Sequence, residues 1–128
     1  MARRPQHVTD AECYVLRALW EAGPSTIRTL ADALYPGGST SEYATVQKLL
    51  ERLEDKRHVT RRAEGRQNVY TARVRREELV ARRLRDTADE LCDGSLTPLL
   101  TQLVSSARLS REELLELRRL VDRLSRKD

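Results

Sequence analysis

The chain contains no phenylalanine, one tryptophan, four tyrosines, two cysteines and two histidines in 128 residues. With so few rings and 34% of its side chains charged, it has material for only a modest core, and burial against a second chain would help it. The scarcity of aromatics also weighs against single-stranded RNA, whose bases need ring platforms on which to stack. His7 and His58 stand alone. No Ser/His/Asp or Cys/His grouping accompanies them and no glycine-rich phosphate loop follows a strand, so an enzyme is not expected; His58 reads instead as a helix-end cation or a backbone contact. Cys13 and Cys92 lack the paired spacing of a zinc site or a redox motif and read as reduced thiols filling apolar space. No metal or cofactor is expected. No run approaches the roughly 18 apolar residues of a membrane span, and the opening MARRPQHVTD lacks the apolar centre of a signal peptide. These absences predict a cytoplasmic protein with no direct membrane insertion.

What is present is positive charge in one place. Between Lys48 and Arg73 eight Lys and Arg face four acids, which equals the whole net excess of +4. Residues 1–47 and 74–128 are each balanced to within one charge. A local basic surface of this kind suits a polyanion, although a charge run can also be no more than a solvated face.

Around that segment the periodicity is helical. Thr9 and Glu12 have capping-box spacing ahead of Ala11, Tyr14, Val15, Ala18 and Leu19, predicting a helix over 10–21 that Gly23-Pro24 stops. Ser25 is placed to cap a second helix with Ile27, Leu30, Ala31 and Leu34 inward and Tyr35 close behind. Pro36-Gly37-Gly38-Ser39-Thr40 forms a turn. A third helix follows, capped by Thr40 or Ser41, with Val46, Leu49, Leu50 and Leu53 inward and Ala44, Thr45, Gln47, Lys48, Glu51 and Arg52 outward.

That outer face is chemically apt for a DNA groove. Gln pairs bidentately with adenine, Thr and Ala methyls touch the thymine methyl, and Lys48 and Arg52, one turn apart, suit phosphate or guanine. Any amphipathic surface helix has a polar face, so the helix alone does not decide the matter. The next element does: two short strands, VTRRA and NVYTA, joined by Glu64-Gly65-Arg66-Gln67, put Arg61, Arg62 and Arg66 where a wing meets the sugar-phosphate backbone. Helix, helix, hairpin is winged-helix order. The predicted DNA contacts are Ser41, Tyr43, Ala44, Thr45, Gln47, Lys48 and Arg52 on the third helix, Tyr43 being near the backbone, with Arg61, Arg62 and Arg66 on the hairpin.

From Arg75 onward the pattern changes to three leucine-rich helices. The first, over 75–91, carries Leu79, Val80, Leu84, Ala88 and Leu91 and ends at Asp93-Gly94-Ser95. The second, over 98–106, carries Leu99, Leu100, Leu103 and Val104, with Thr97 as cap and Pro98 as first residue. The third, over 111–125, carries Leu114, Leu117, Val121 and Leu124 behind a Ser110/Glu113 capping box, with Leu115 and Leu120 widening the stripe. A monomer could fold these helices back onto its winged helix. A twofold dimer is the commoner way to cover exposed leucines and doubles the DNA contacts, so Leu79, Leu84, Leu91, Leu99, Leu103, Leu114, Leu117, Val121 and Leu124 are the predicted dimer residues. The fold class expected is mostly α with a small β-wing: a winged helix-turn-helix DNA-binding domain over 1–74 and a helical dimerisation domain over 75–128. The alternative is a winged helix that serves as a protein-interaction module in a larger assembly, the leucine-rich tail being its working surface.

Taken in order, Thr9-Asp10-Ala11-Glu12 with Val15, Leu19 and Trp20, Tyr43-Ala44-Thr45-Val46 with Leu49-Leu50 and Arg52-Leu53, Gly65-Arg66, Val69-Tyr70, Asp93-Gly94-Ser95 and the 109–117 tail resemble the penicillinase-repressor (BlaI/MecI) family of winged-helix repressors. The resemblance implies a homodimer on a pseudo-palindromic operator, with intertwined C-terminal helices. It also implies relief of repression when a membrane-embedded sensor and protease system has the C-terminal region cut; Gln102-Leu103 stands where well-known members carry Asn-Phe. Family members typically have Thr-Thr where this chain has Ala44-Thr45, and often Lys and Thr at Gln47 and Lys48, so the resemblance does not fix the operator sequence. The Cys-x-Cys tail motifs of the copper-responsive branch are missing.

Overall fold

The computed structural model describes residues 7–106 and 108–126. The first six residues, part of the segment read above for a signal-peptide pattern, lie outside that range, as do Ala107, Lys127 and Asp128. The described chain is mostly helical with one two-stranded antiparallel sheet: α1 (Asp10–Ala22), α2 (Ile27–Leu34), α3 (Thr40–Asp55), β1 (Val59–Glu64), β2 (Gln67–Ala72), α4 (Arg76–Leu91), α5 (Thr97–Ser106) and α6 (Arg111–Ser125).

The start of α1 is the predicted capping box. The Thr9 side chain accepts from Glu12 N–H, and Glu12 Oε1 accepts from Thr9 N–H at 2.8 Å. Its buried stripe is nonetheless turned from the one expected. Glu12, Val15, Leu16 and Leu19 are inside, whereas Ala11 and Tyr14 are exposed. The physical reason is Lys56 at the C-cap of α3, whose Nζ reaches Glu12 Oε1 at 2.6 Å and the His7 carbonyl at 2.6 Å. A carboxylate can be buried when a cation and a backbone N–H hold it.

Two expected caps also move. Thr26, not Ser25, caps α2, because the Ser25 backbone is taken up by a β-bridge to Tyr70, N–H to carbonyl in both directions at 3.0 and 2.8 Å. Ser39, not Thr40 or Ser41, caps α3, in a capping box with Glu42. In the hairpin Glu64 pairs with Gln67, leaving Gly65-Arg66 as the connection. Gly65 has φ +64° and Arg66 is not in the positive-φ region, which is the type II′ pattern that matches the twist of paired strands.

Val46, Leu49, Leu50 and Leu53 of α3 meet Val15, Leu16 and Leu19 of α1, Leu30 and Ala31 of α2, and Val59 and Tyr70 of the hairpin in one core. Val74 and Leu79 close it. The chain divides into two compact units, residues 1–80 and 81–128. The first thus extends six residues past the composition change at 74/75, since Leu79, only 5% exposed, packs into its core. That is a correction for Leu79 as an expected dimer residue: its surface is already covered within its own chain.

In the second unit α4 ends where Asp93 and Gly94 take positive φ and Gly94 N–H bonds the Ala88 carbonyl at 2.9 Å. The first α5 bond, Leu100 N–H to the Leu96 carbonyl at 3.1 Å, makes Leu96 the cap, so Thr97 and Pro98 are its first two residues and Thr97 is not the cap. The Ser110/Glu113 capping box of α6 is formed as expected. No helix among the described residues is long and apolar enough to cross a membrane, and no group of three or more His, Cys, Asp or Glu side chains is placed to hold a metal.

Candidate nucleic-acid interface

With its apolar stripe locked into the core, α3 turns Ser41, Ala44, Thr45, Gln47, Lys48, Glu51 and Arg52 to solvent. Its N-terminus is tied down. Glu42 accepts from the Ser39 N–H at 3.0 Å and from the hydroxyls of Ser39 and Ser41, and these bonds pull its carboxyl down to about 2. The Ser41 hydroxyl is therefore engaged in the cap. Thr45 donates its hydroxyl to the Ser41 carbonyl at 2.9 Å, which leaves its methyl as the free part of the side chain, the part suited to a thymine methyl.

Tyr43, Gln47 and Arg66 are brought together. They line a cleft of about 370 Å³ between the start of α2, the solvent-facing side of α3 and the wing turn, with Thr26, Ile27, Arg28, Gln67 and Asn68 as the other walls. Arg28, Thr26 and Asn68 were not anticipated. The Arg28 guanidinium lies over the Tyr43 ring, 6.0 Å from its centre. The available signal was Arg28 itself, the single Lys or Arg between Arg17 and Lys48.

The three wing arginines do not share one surface. Strand alternation puts Arg61 and Arg62 on opposite faces: Arg61 lies opposite the buried Tyr70, and Arg62 opposite Val69. Arg61 pairs with Glu54 of α3 at 3.3 Å and Arg62 with Glu64 at 3.0 Å. The Arg62 pair is exposed and the Arg61 pair partly so, and exchanging the acid of a surface ion pair for a phosphate costs little. Lys48, Arg52 and Arg66 have no ion pair among the described residues.

At the other end of the unit, Glu12 is ionised. Burial pushes its carboxyl up, but the hydrogen bonds from Lys56 and Thr9 and the Lys56 charge outweigh that and hold it below the usual carboxylate range. Its Oε2 is buried with no hydrogen-bond partner. This pair braces α1 against the end of α3 and does not line that cleft.

Three helices with a solvent-facing third helix and a hairpin beside it define a winged helix-turn-helix. The family described as penicillinase repressor matches residues 8–123, and the chain belongs to that family. An uncharacterized 16.5 kDa protein encoded in the ptsI 3′ region of Latilactobacillus sakei is 29% identical over 121 residues, covering 94% of this chain and 82% of that one. The DNA-binding domain of the repressor BlaI, a solution structure, is 24% identical, covers 60% of this chain and 93% of its own, and superposes with a TM-score of 0.49. Family membership makes the chain a winged-helix transcriptional repressor, a DNA-binding protein from a family of regulators and not of enzymes.

Proposed function

We propose that the protein is a homodimeric cytoplasmic repressor that sets the start of α3 from each subunit into successive major grooves of a pseudo-palindromic operator. Thr45, Gln47 and Lys48 read base edges, Ala44 lies against them, and Tyr43, Arg52 and Arg66 meet the backbone, with Arg61 and Arg62 exchanging their acids for phosphates. The observation that carries the dimer is the state of the second unit. Leu84, Leu91, Leu100, Leu103, Leu114, Val121 and Leu124 are all exposed, Leu91 to 78% and Leu100 to 58%. Helices with so little of their apolar surface covered need a partner, and a second copy supplies one by symmetry while making the second half-site engagement intramolecular.

Relief of repression then works on the tail. Gln102 and Leu103 lie inside α5 and are exposed. A membrane-embedded sensor and protease system that cut there would first unwind this helix, which no buried residue anchors. Cutting would release DNA without touching the winged helix.

Selection of bound duplexes from a randomised pool, with sedimentation equilibrium of the free protein, tests this. A twofold-symmetric enriched sequence and a dimer are expected. With six to ten phosphate contacts per dimer, affinity falls on the order of 10³ to 10⁵ between 50 and 200 mM salt. A stable monomer that enriches no duplex at low salt would overturn the reading.

A further inference from the structure

Arg28 and Tyr43 form a ridge between two depressions. On one side is the cleft shared with Gln47, Arg66 and Asn68. On the other is a hollow of about 390 Å³ whose lining includes Asp32 and Glu42. Asp32 stands one helical turn from Arg28, yet Arg28 pairs with no carboxylate among the described residues and its guanidinium lies over the Tyr43 ring instead.

We propose that Arg28 is a positioning residue for sequence reading: by lying over Tyr43 it fixes the phenol ring beside Gln47 and so sets how the Gln47 amide meets a base edge. The inference rests on the DNA-binding reading above and deepens it. Tyr43 and Gln47 are four residues apart on one helix and therefore neighbours on its surface. An exposed tyrosine with no partner samples several rotamers, and each leaves the amide a different space. A planar guanidinium can cover the ring face while its N–H edge stays free for a phosphate, which the ammonium of lysine cannot do.

The test compares Arg28→Ala, Arg28→Lys, Tyr43→Leu and the Arg28→Ala/Tyr43→Leu double variant of the full chain. Each is titrated with the duplex that the wild type enriches from a random pool and with single base-pair variants of it. Both Arg28 variants are expected to lose roughly 2- to 5-fold in discrimination at one position per half-site, the size of an exposed cation–π contact. Tyr43→Leu gives the same loss, and Arg28→Ala adds nothing to it. The salt slope of Arg28→Lys stays at the wild-type value. Full discrimination by Arg28→Lys, or losses at the two sites that multiply independently, would overturn the proposal and leave Arg28 a phosphate contact alone. Failure of the wild type to enrich any duplex is a separate result that removes the DNA reading itself, and the inference with it.

Discussion

The indole N–H of Trp20, near the end of α1, donates a 2.9 Å hydrogen bond to the carbonyl of Val74, just ahead of α4. Arg76 covers the same ring at 5.3 Å, and Arg73 N–H bonds the His58 carbonyl at 2.7 Å. The segment leading from the hairpin into α4 is thus held on the winged helix and is not a free linker. Trp20→Phe keeps a ring but orphans the Val74 carbonyl, so it should cost about 1–2 kcal/mol, and Arg76→Ala about 0.5–1 kcal/mol. Urea unfolding followed by far-UV circular dichroism measures both; a Trp20→Phe midpoint equal to wild type would show that the bond does not hold the segment.

The Glu12–Lys56 pair gives a pH signature. The folded-state pKa of Glu12 is lowered, so the pair's contribution is fully present above the unfolded carboxylate value of about 4.3 and is lost as pH falls through the lower folded value. Lys56→Met removes the partner and leaves a fully buried carboxylate, which should cost about 3–5 kcal/mol at neutral pH. With both Lys56 contributions gone, burial is opposed by the Thr9 hydrogen bonds alone and the Glu12 pKa lies above its wild-type folded value, so the variant should recover stability relative to wild type on acidification. Thermal unfolding of both proteins between pH 3 and 7 reads the difference, and parallel curves would contradict it.

Arg57 closes α3 with φ +64°. His58 N–H bonds the Leu53 carbonyl and Arg57 N–H the Glu54 carbonyl, both at 2.9 Å, the two bonds of a Schellman motif, whose left-handed residue is usually glycine. Arg57→Gly relieves the left-handed strain of a side-chain-bearing residue, about 1–2 kcal/mol, and gives back about 0.5–1 kcal/mol of unfolded-state entropy. A net gain of about 0.5–1 kcal/mol is expected, which raises the thermal midpoint by a few degrees. If operator affinity falls in the same variant, Arg57 belongs among the phosphate contacts.

What could be read from the sequence were features written within a turn or two of helix: the Thr9/Glu12 and Ser110/Glu113 boxes, the inward set of α3 and the outward set opposite it, and the hairpin about Gly65. What could not be read depended on groups far along the chain. Ser25 looks like a cap until Tyr70 takes its backbone. Glu12 looks like an exposed acid until Lys56, 44 residues on, makes its burial tolerable, and that burial turns α1 so that Leu16 goes in and Tyr14 out. Leu79 fits a tail stripe yet fills the winged-helix core. Arg28 is not marked out because its helix supplies no outward polar pattern of its own, and its place over the Tyr43 ring depends on a residue of the next helix.

The tail can be tested by substitutions that a lone subunit would hardly notice. Val121 and Leu124 of α6 are 59% and 55% exposed, and changing exposed residues ordinarily moves stability by within about 0.5 kcal/mol. Lysine is also a better helix former than valine and suits the negative end of the helix dipole. In a monomer Val121→Lys/Leu124→Lys should therefore be nearly silent. In a dimer that packs these residues against a second copy, four ammonium groups enter an apolar interface and it opens. The double variant should keep its far-UV spectrum, sediment as a single subunit, and bind a full two-half-site duplex on the order of 10² to 10⁴ weaker, while its affinity for an isolated half-site is unchanged. A variant that still sediments as a dimer would place the contact on another face of the tail; one that monomerises yet binds the full site as before would detach dimerisation from operator affinity.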